Sequence, residues 1–109
     1  MATQQMGFSE DLFAESNFQV DDYTIVVSSN SMSPALKSGD LAVVRPTEGF
    51  DSEGLYLVDL DGSEVLRRIS QTADGQYIAN CDNQDQYPGY SAIDPKCLLG
   101  LIVATVSRV

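Results

Sequence analysis

The sequence predicts a mainly β protein: a single compact antiparallel β domain with a flexible acidic arm at its N-terminus. Three observations lead there. Apolar runs of four to nine residues recur along the chain, rich in Val, Ile, Leu and Tyr, and each is closed off by Gly, Asp, Pro or Ser. No stretch shows the sustained 3.6-residue periodicity of a long amphipathic helix. The length of 109 residues, 43% of them apolar, is enough for one modest core and too little for two.

The elements follow in order. Residues 1–22 are acidic and poor in β-branched side chains, with Phe8, Phe13 and Phe18 spread among Glu10, Asp11, Glu15, Asp21 and Asp22. This stretch reads as an arm or linker that either docks on a partner through its phenylalanines or only caps the edge of the core with Phe18. The folded domain is expected over residues 23–109. Tyr23-Thr24-Ile25-Val26-Val27 is the first strand run and Leu41-Ala42-Val43-Val44 the second. Leu55 to Leu60 leads through Asp61-Gly62, a strong two-residue hairpin signal, into Glu64 to Ile69. Asp74-Gly75 opens a further strand over Gln76 to Ala79. The closing run, Leu98 to Val106, reads as a long strand buried on both faces or against a partner.

Charge and composition exclude several functions. Six basic residues against sixteen acidic ones give a net charge of −10, which repels phosphate backbones and anionic lipid surfaces, so the chain is not expected to hold DNA by itself. There is no His, which removes His-based triads and imidazole metal sites. Cys81 and Cys97 stand apart with no CxxC pair, so the expectation is two buried reduced thiols, with no metal and no cofactor. The N-terminal residues carry no basic and apolar signal-peptide pattern, and the apolar run from Cys97 to Val106 is too short to span a bilayer. A cytoplasmic protein without a membrane anchor is expected.

One segment carries the chemistry. Between the first two strand runs lies Ser28-Ser29-Asn30-Ser31-Met32-Ser33-Pro34-Ala35-Leu36-Lys37-Ser38-Gly39-Asp40. By composition alone it is a polar loop with a turn near Pro34 and a tight Gly39-Asp40 turn, and its serines are turn formers. A serine becomes a nucleophile only beside a base.

Ser31-Met32-x-Pro34, followed by Leu36-x-x-Gly39-Asp40 and an apolar strand, resembles the signature of the LexA-like serine–lysine peptidase family, which includes the C-terminal domains of phage repressors. The likeness continues through Gly54 to Val58, Val65 to Ile69, Tyr77 to Asn80, Asn83, Tyr87-Pro88 and Leu99 to Val103. The resemblance implies the β fold shared by LexA and, more distantly, the signal peptidases. It implies that Ser31 is the nucleophile position and that Met32, Pro34, Gly39 and Asp40 shape the loop presenting it. It also implies a lysine on a strand of the form V-K-R-L, where this chain has Leu66-Arg67-Arg68-Ile69. Arg67 thus stands at the position of the family's base, and Ser29 where a Gly is usual. The only lysines are Lys37 and Lys96, neither on that strand.

Alternation puts Val65, Arg67 and Ile69 on one strand face and Leu66, Arg68 and Ser70 on the other, which turns Arg67 inward. The bland alternative is a solvated arginine pair facing acidic residues. Lysine lowers its pKa on burial and can accept a serine proton; arginine starts above 12, and neutralising it at pH 7 costs about 7 kcal/mol. The expected site is a serine without a base. The one Gly ahead of Ser31 is Gly7, preceded by Met6 and too near to match the family's Ala-Gly or Cys-Gly bond, so the expectation is that the cleavage arm either lies ahead of Met1 or does not exist.

Three functions stay open at this point. The first is a repressor's C-terminal oligomerisation and regulatory domain that has lost peptidase activity, forms a homodimer or higher oligomer, and touches DNA only through a separate N-terminal domain. Leu99, Leu101, Val103 and Phe13 are its candidate self-association residues. The second is an active self-cleaving serine–lysine peptidase with Ser31 as nucleophile. The third is a freestanding protein that binds a repressor.

Overall fold

In the computed structural model, residues 18–107 are described. They form one seven-stranded sheet, every neighbouring pair antiparallel. The strands are β1 (Tyr23–Val26), β2 (Leu41–Pro46), β3 (Gly54–Leu60), β4 (Ser63–Gln71), β5 (Tyr77–Asn80), β6 (Tyr90–Ile93) and β7 (Leu98–Val106), with a 3-10 turn at Pro95–Cys97. Their spatial order is β1-β2-β7-β3-β4-β5-β6, so the last strand is inserted between β2 and β3. The mainly β, antiparallel expectation is therefore met. Phe13 and the rest of residues 1–17 lie outside the described residues.

Local chemistry explains the hairpins. At the β3–β4 turn Asp61 and Gly62 both have positive φ, 53° and 88°, the mirror-image turn that matches strand twist, and the Asp59 carboxylate accepts the Gly62 N–H at 3.0 Å. The strand over Tyr90–Ile93 is not anticipated from sequence. It is short, mostly exposed and held by pairing with β5, and local pattern is blind to such an edge.

The interior is divided by the two faces of the sheet. Leu55, Leu57 and Leu66 join Val27, Met32, Leu36, Ala42, Val44 and Cys81 in one buried cluster. Tyr56, Val58 and Ile69 join Ala79 and Leu98 in the other. The period of two along β3 sends alternate residues into different clusters, which is why Leu55 to Val58 is continuously apolar. Of the two thiols, both free, Cys81 is buried as expected while Cys97 is only half-buried, because it ends the 3-10 turn at the margin of the second cluster.

Register shifts occur on both flanks of β7: Val43 pairs Ala104 while Val44 pairs Ile102, and Leu57 pairs Gly100 while Val58 pairs Leu98. Val103 and Leu99 are thereby the extra residues of two bulges, which sharpen the local twist and curve the sheet. Only Leu98 and Gly100 of β7 are buried, so the closing run is central in the sheet without being buried on both faces throughout.

The arm region is fixed from residue 18 onward. Phe18 is half-buried, Gln19 and Asp22 close a turn, and the Asp22 carboxylate takes the Arg45 guanidinium in a two-pronged pair at 3.1 and 3.0 Å. The Arg45 side chain holds the Asp22 carboxyl below the usual carboxylate range, chiefly through this hydrogen-bonded pair. A carboxyl with a lowered folded pKa stabilises the fold above its unfolded value, near 3.9, and loses that contribution as pH falls through the folded value. Asp22→Asn is expected to cost about 0.5–1 kcal/mol in urea unfolding at about pH 7. The cost should disappear at about pH 2, where Asp22 is protonated in folded and unfolded chains alike.

Candidate active site

The loop from Ser28 to Asp40 is pinned at its base and along its length. Val27 donates its N–H to the Asp40 carbonyl and accepts the Gly39 N–H, both at 2.8 Å, which continues the β1–β2 ladder into the loop. Gly39 has φ of 98°, a conformation that only Gly adopts at little cost, so the tight turn into β2 requires it. The Asp40 carboxylate, in a residue 2% exposed, accepts the Lys37 N–H at 2.9 Å. The Asn30 side-chain oxygen accepts the Ser38 N–H at 3.0 Å. Met32 and Leu36, each 1% exposed, drive the middle of the loop into the first cluster, and the Ser33–Pro34 peptide is cis. Met32, Pro34, Gly39 and Asp40 all lie within this loop.

Ser31 is presented between these anchors. It is 4% exposed, and its carbonyl accepts the Asn83 N–H at 3.0 Å while the Asn83 side-chain amide donates to the Asn30 carbonyl at 2.9 Å. Its hydroxyl lies 3.0 Å from the Ser29 hydroxyl, and its own N–H points at the same Ser29 oxygen at 3.3 Å. Nη1 of Arg67 is 3.5 Å from Ser31 Oγ, the outer limit of a hydrogen bond, and donates a short 2.7 Å bond to the Leu66 carbonyl.

The geometry around Arg67 comes from the edge of β4. The β4–β5 register begins at Arg68 with Asn80, so the stretch from Ser63 to Arg67 has β3 on one side and no strand on the other. The Arg67 side chain, half-buried, uses that free edge to reach the Ser31 loop. The two arginines then part company: Arg68 pairs with Asp82 at 3.1 and 2.6 Å, whereas no carboxylate among the described residues is at ion-pair distance from Arg67. Lys37 and Lys96 are exposed, and Lys96 lines a separate groove with Thr47, Phe50 and Tyr77. Among the described residues no three acidic, Cys or His side chains gather as a metal site, and no helix is long and apolar enough to cross a membrane.

A groove of about 250 Å³ runs beside Ser31, walled by Ile25 to Ser29 on one side and by Leu57 and Glu64 to Leu66 on the other. β1 has β2 as its one strand partner, and over Glu64 to Leu66 β4 is paired with β3 on one edge and with no strand on the other. Both walls therefore present a strand edge with no strand paired to it, although the Leu66 carbonyl is already taken by Arg67 Nη1. An extended peptide laid in this groove can satisfy its own backbone on them, with Ser31 alongside. Sequence reasoning placed Ser31 and Arg67 but noted Ser29 only as a changed glycine and Asn83 only as part of a resemblance. Their contacts with Ser31 depend on loop folding and on a partner 53 positions away from Asn30.

Fold and site together define a class: a β-sheet domain that carries a buried, loop-borne serine facing a basic side chain on a neighbouring strand edge. A family model of Peptidase S24-like proteins matches residues 2–95, and the chain belongs to that Peptidase S24-like family. The match includes the N-terminal residues ahead of β1 and stops before β7. Comparison with curated proteins finds no match to the chain.

Proposed function

We propose that this chain is the C-terminal self-association and regulatory domain of a phage-type transcriptional repressor, with its peptidase chemistry lost. The observation that carries the proposal is the guanidinium at Ser31. Arg67 occupies the place from which a lysine would take the serine proton, and arginine stays protonated at any pH a protein tolerates. A serine hydroxyl whose neighbours are one cation and one further hydroxyl has no acceptor strong enough to activate it. What the family fold offers without that chemistry is binding.

The net charge of −10 supports assigning DNA contact to a separate domain. Self-association then acts by effective concentration: tying weak DNA-binding heads in pairs turns the second contact into an intramolecular one. Leu99, Leu101 and Val103, half-buried on β7, are the residues proposed to pack against a second copy. Leu99 rests against the first cluster and Leu101 against the second, so what a second copy would cover is the part of each side chain left exposed. A cytoplasmic location belongs to the same reading.

Sedimentation velocity over a concentration series tests it. The expected result is a weight-average mass that rises with concentration through the micromolar range. A monomer alone at high micromolar concentration would remove the self-association claim.

A further inference from the structure

Arg67 also borders a second groove that shares no residue with the one beside Ser31. Its volume is about 270 Å³, and Leu60, Arg67, Asn80, Tyr87 and Tyr90 form the walls that matter. In a chain of net charge −10, Arg67 is the single charged residue lining it. The other described arginines each hold a carboxylate, Arg45 that of Asp22 and Arg68 that of Asp82, while Arg67 has none among the described residues. Its Nη1 is spent on the Leu66 carbonyl and Ser31.

A half-buried guanidinium without a counter-charge is an incomplete interaction, and its planar fork matches one partner best, a carboxylate taken by two parallel N–H bonds. Around it the groove is mixed, polar at Asn80 and Ser91 and apolar or aromatic at Leu60, Tyr87 and Tyr90; Leu60 is half-buried, and Tyr90 and Tyr87 are 75% and 39% exposed. The loop carrying Tyr87 is held by its own hydrogen bonds, Tyr87 N–H on the Asn83 carbonyl at 2.8 Å and Gly89 N–H on the Gln84 side-chain oxygen at 2.9 Å, and Tyr90 opens β6 opposite Asn80. Tyrosines, with few rotatable bonds for their size, give contact area at little entropic cost.

We infer that this groove binds an extended peptide through one carboxylate side chain on Arg67, with a neighbouring apolar side chain against Leu60 and the two tyrosines. Charge complementarity selects the occupant. The surplus of ten negative charges disfavours polyanions at long range, while a lone carboxylate meets the one local cation. The inference stands apart from the repressor reading, because it requires neither self-association nor a silent Ser31.

The test uses NMR titration of the whole chain with the blocked peptide acetyl-Ala-Leu-Glu-Leu-Ala-amide and its Gln counterpart, following the tyrosine ring signals. The Glu peptide should shift Tyr87 and Tyr90 and bind roughly 10- to 100-fold tighter than the Gln peptide, the range for a charge-assisted contact. Arg67→Met should erase that preference. Tyr90→Ser, at a position too exposed to affect folding, should weaken both peptides several-fold, on the order of one lost aromatic contact. Equal binding of the two peptides, silent Tyr87 and Tyr90 signals, or acetate or inorganic phosphate binding as tightly as the Glu peptide would overturn the inference.

Discussion

Arg67→Lys is expected to make Ser31 reactive toward a serine-directed fluorophosphonate at about pH 9–10, at a rate roughly 10²- to 10⁴-fold above that of the unsubstituted chain. The loop is already built for presentation: Ser31 is held through its carbonyl by Asn83 and at its hydroxyl by Ser29, in a loop anchored to the first cluster by Met32 and Leu36. Among the described residues, what Ser31 has beside it is a second hydroxyl and a guanidinium, neither of them a base. Arginine at that place donates to the serine oxygen and cannot take its proton, since neutralising it near pH 7 costs about 7 kcal/mol. An amine in the same half-buried position loses its proton several units more easily, and it can then accept the proton of Ser31. The labelling rate, read by intact mass, should rise with pH through the amine's titration. Ser31→Ala added to Arg67→Lys should abolish it. Labelling of Arg67→Lys no faster than the parent would mean that Ser31 is not poised for attack.

Gly100→Ala is expected to be the most destabilising single-carbon change in the domain, by about 3 kcal/mol in urea or thermal unfolding. Gly100 sits in the central strand β7, opposite Pro46 of β2 and Leu57 of β3. A Cβ there would lie 2.5 Å from Val44 Cγ1 and 2.9 Å from the Arg45 carbonyl oxygen, distances no real Cβ tolerates. Neither neighbour can yield cheaply. Val44 is fully buried and stiff at χ1, and Arg45 presents backbone. The added methyl therefore has to push β2 and β7 apart where both are clamped. A loss below about 0.5 kcal/mol would show that the two strands are not in such close contact.

The strands were legible because their turns announce themselves and their apolar runs are local. Asp61-Gly62 specifies its own hairpin, and Leu55 to Val58 can be continuous because alternate side chains enter different clusters. The insertion of β7 between β2 and β3 was not legible, because it depends on pairings far apart in the chain and on two bulges that no local pattern encodes. The same divide runs through the site. Ser31 and Arg67 stood out by their places in the family resemblance, with strand alternation as support for Arg67 pointing inward. The Asn83 clamp, the Arg68–Asp82 pair and the unpaired edge of β4 arise only when β4, β5 and the Ser31 loop are brought together. Gly100 gave no signal either, since in a run of apolar residues a Gly says nothing about what crosses above it.

The central claim is that Ser31 has lost its base, and the most direct measurement is the intact mass of the unsubstituted chain after prolonged incubation at about pH 10, where a family lysine would be neutral. The account predicts a single unchanged mass. A specific fragment that forms in the unsubstituted chain and is absent from Ser31→Ala would contradict it and establish an active serine peptidase.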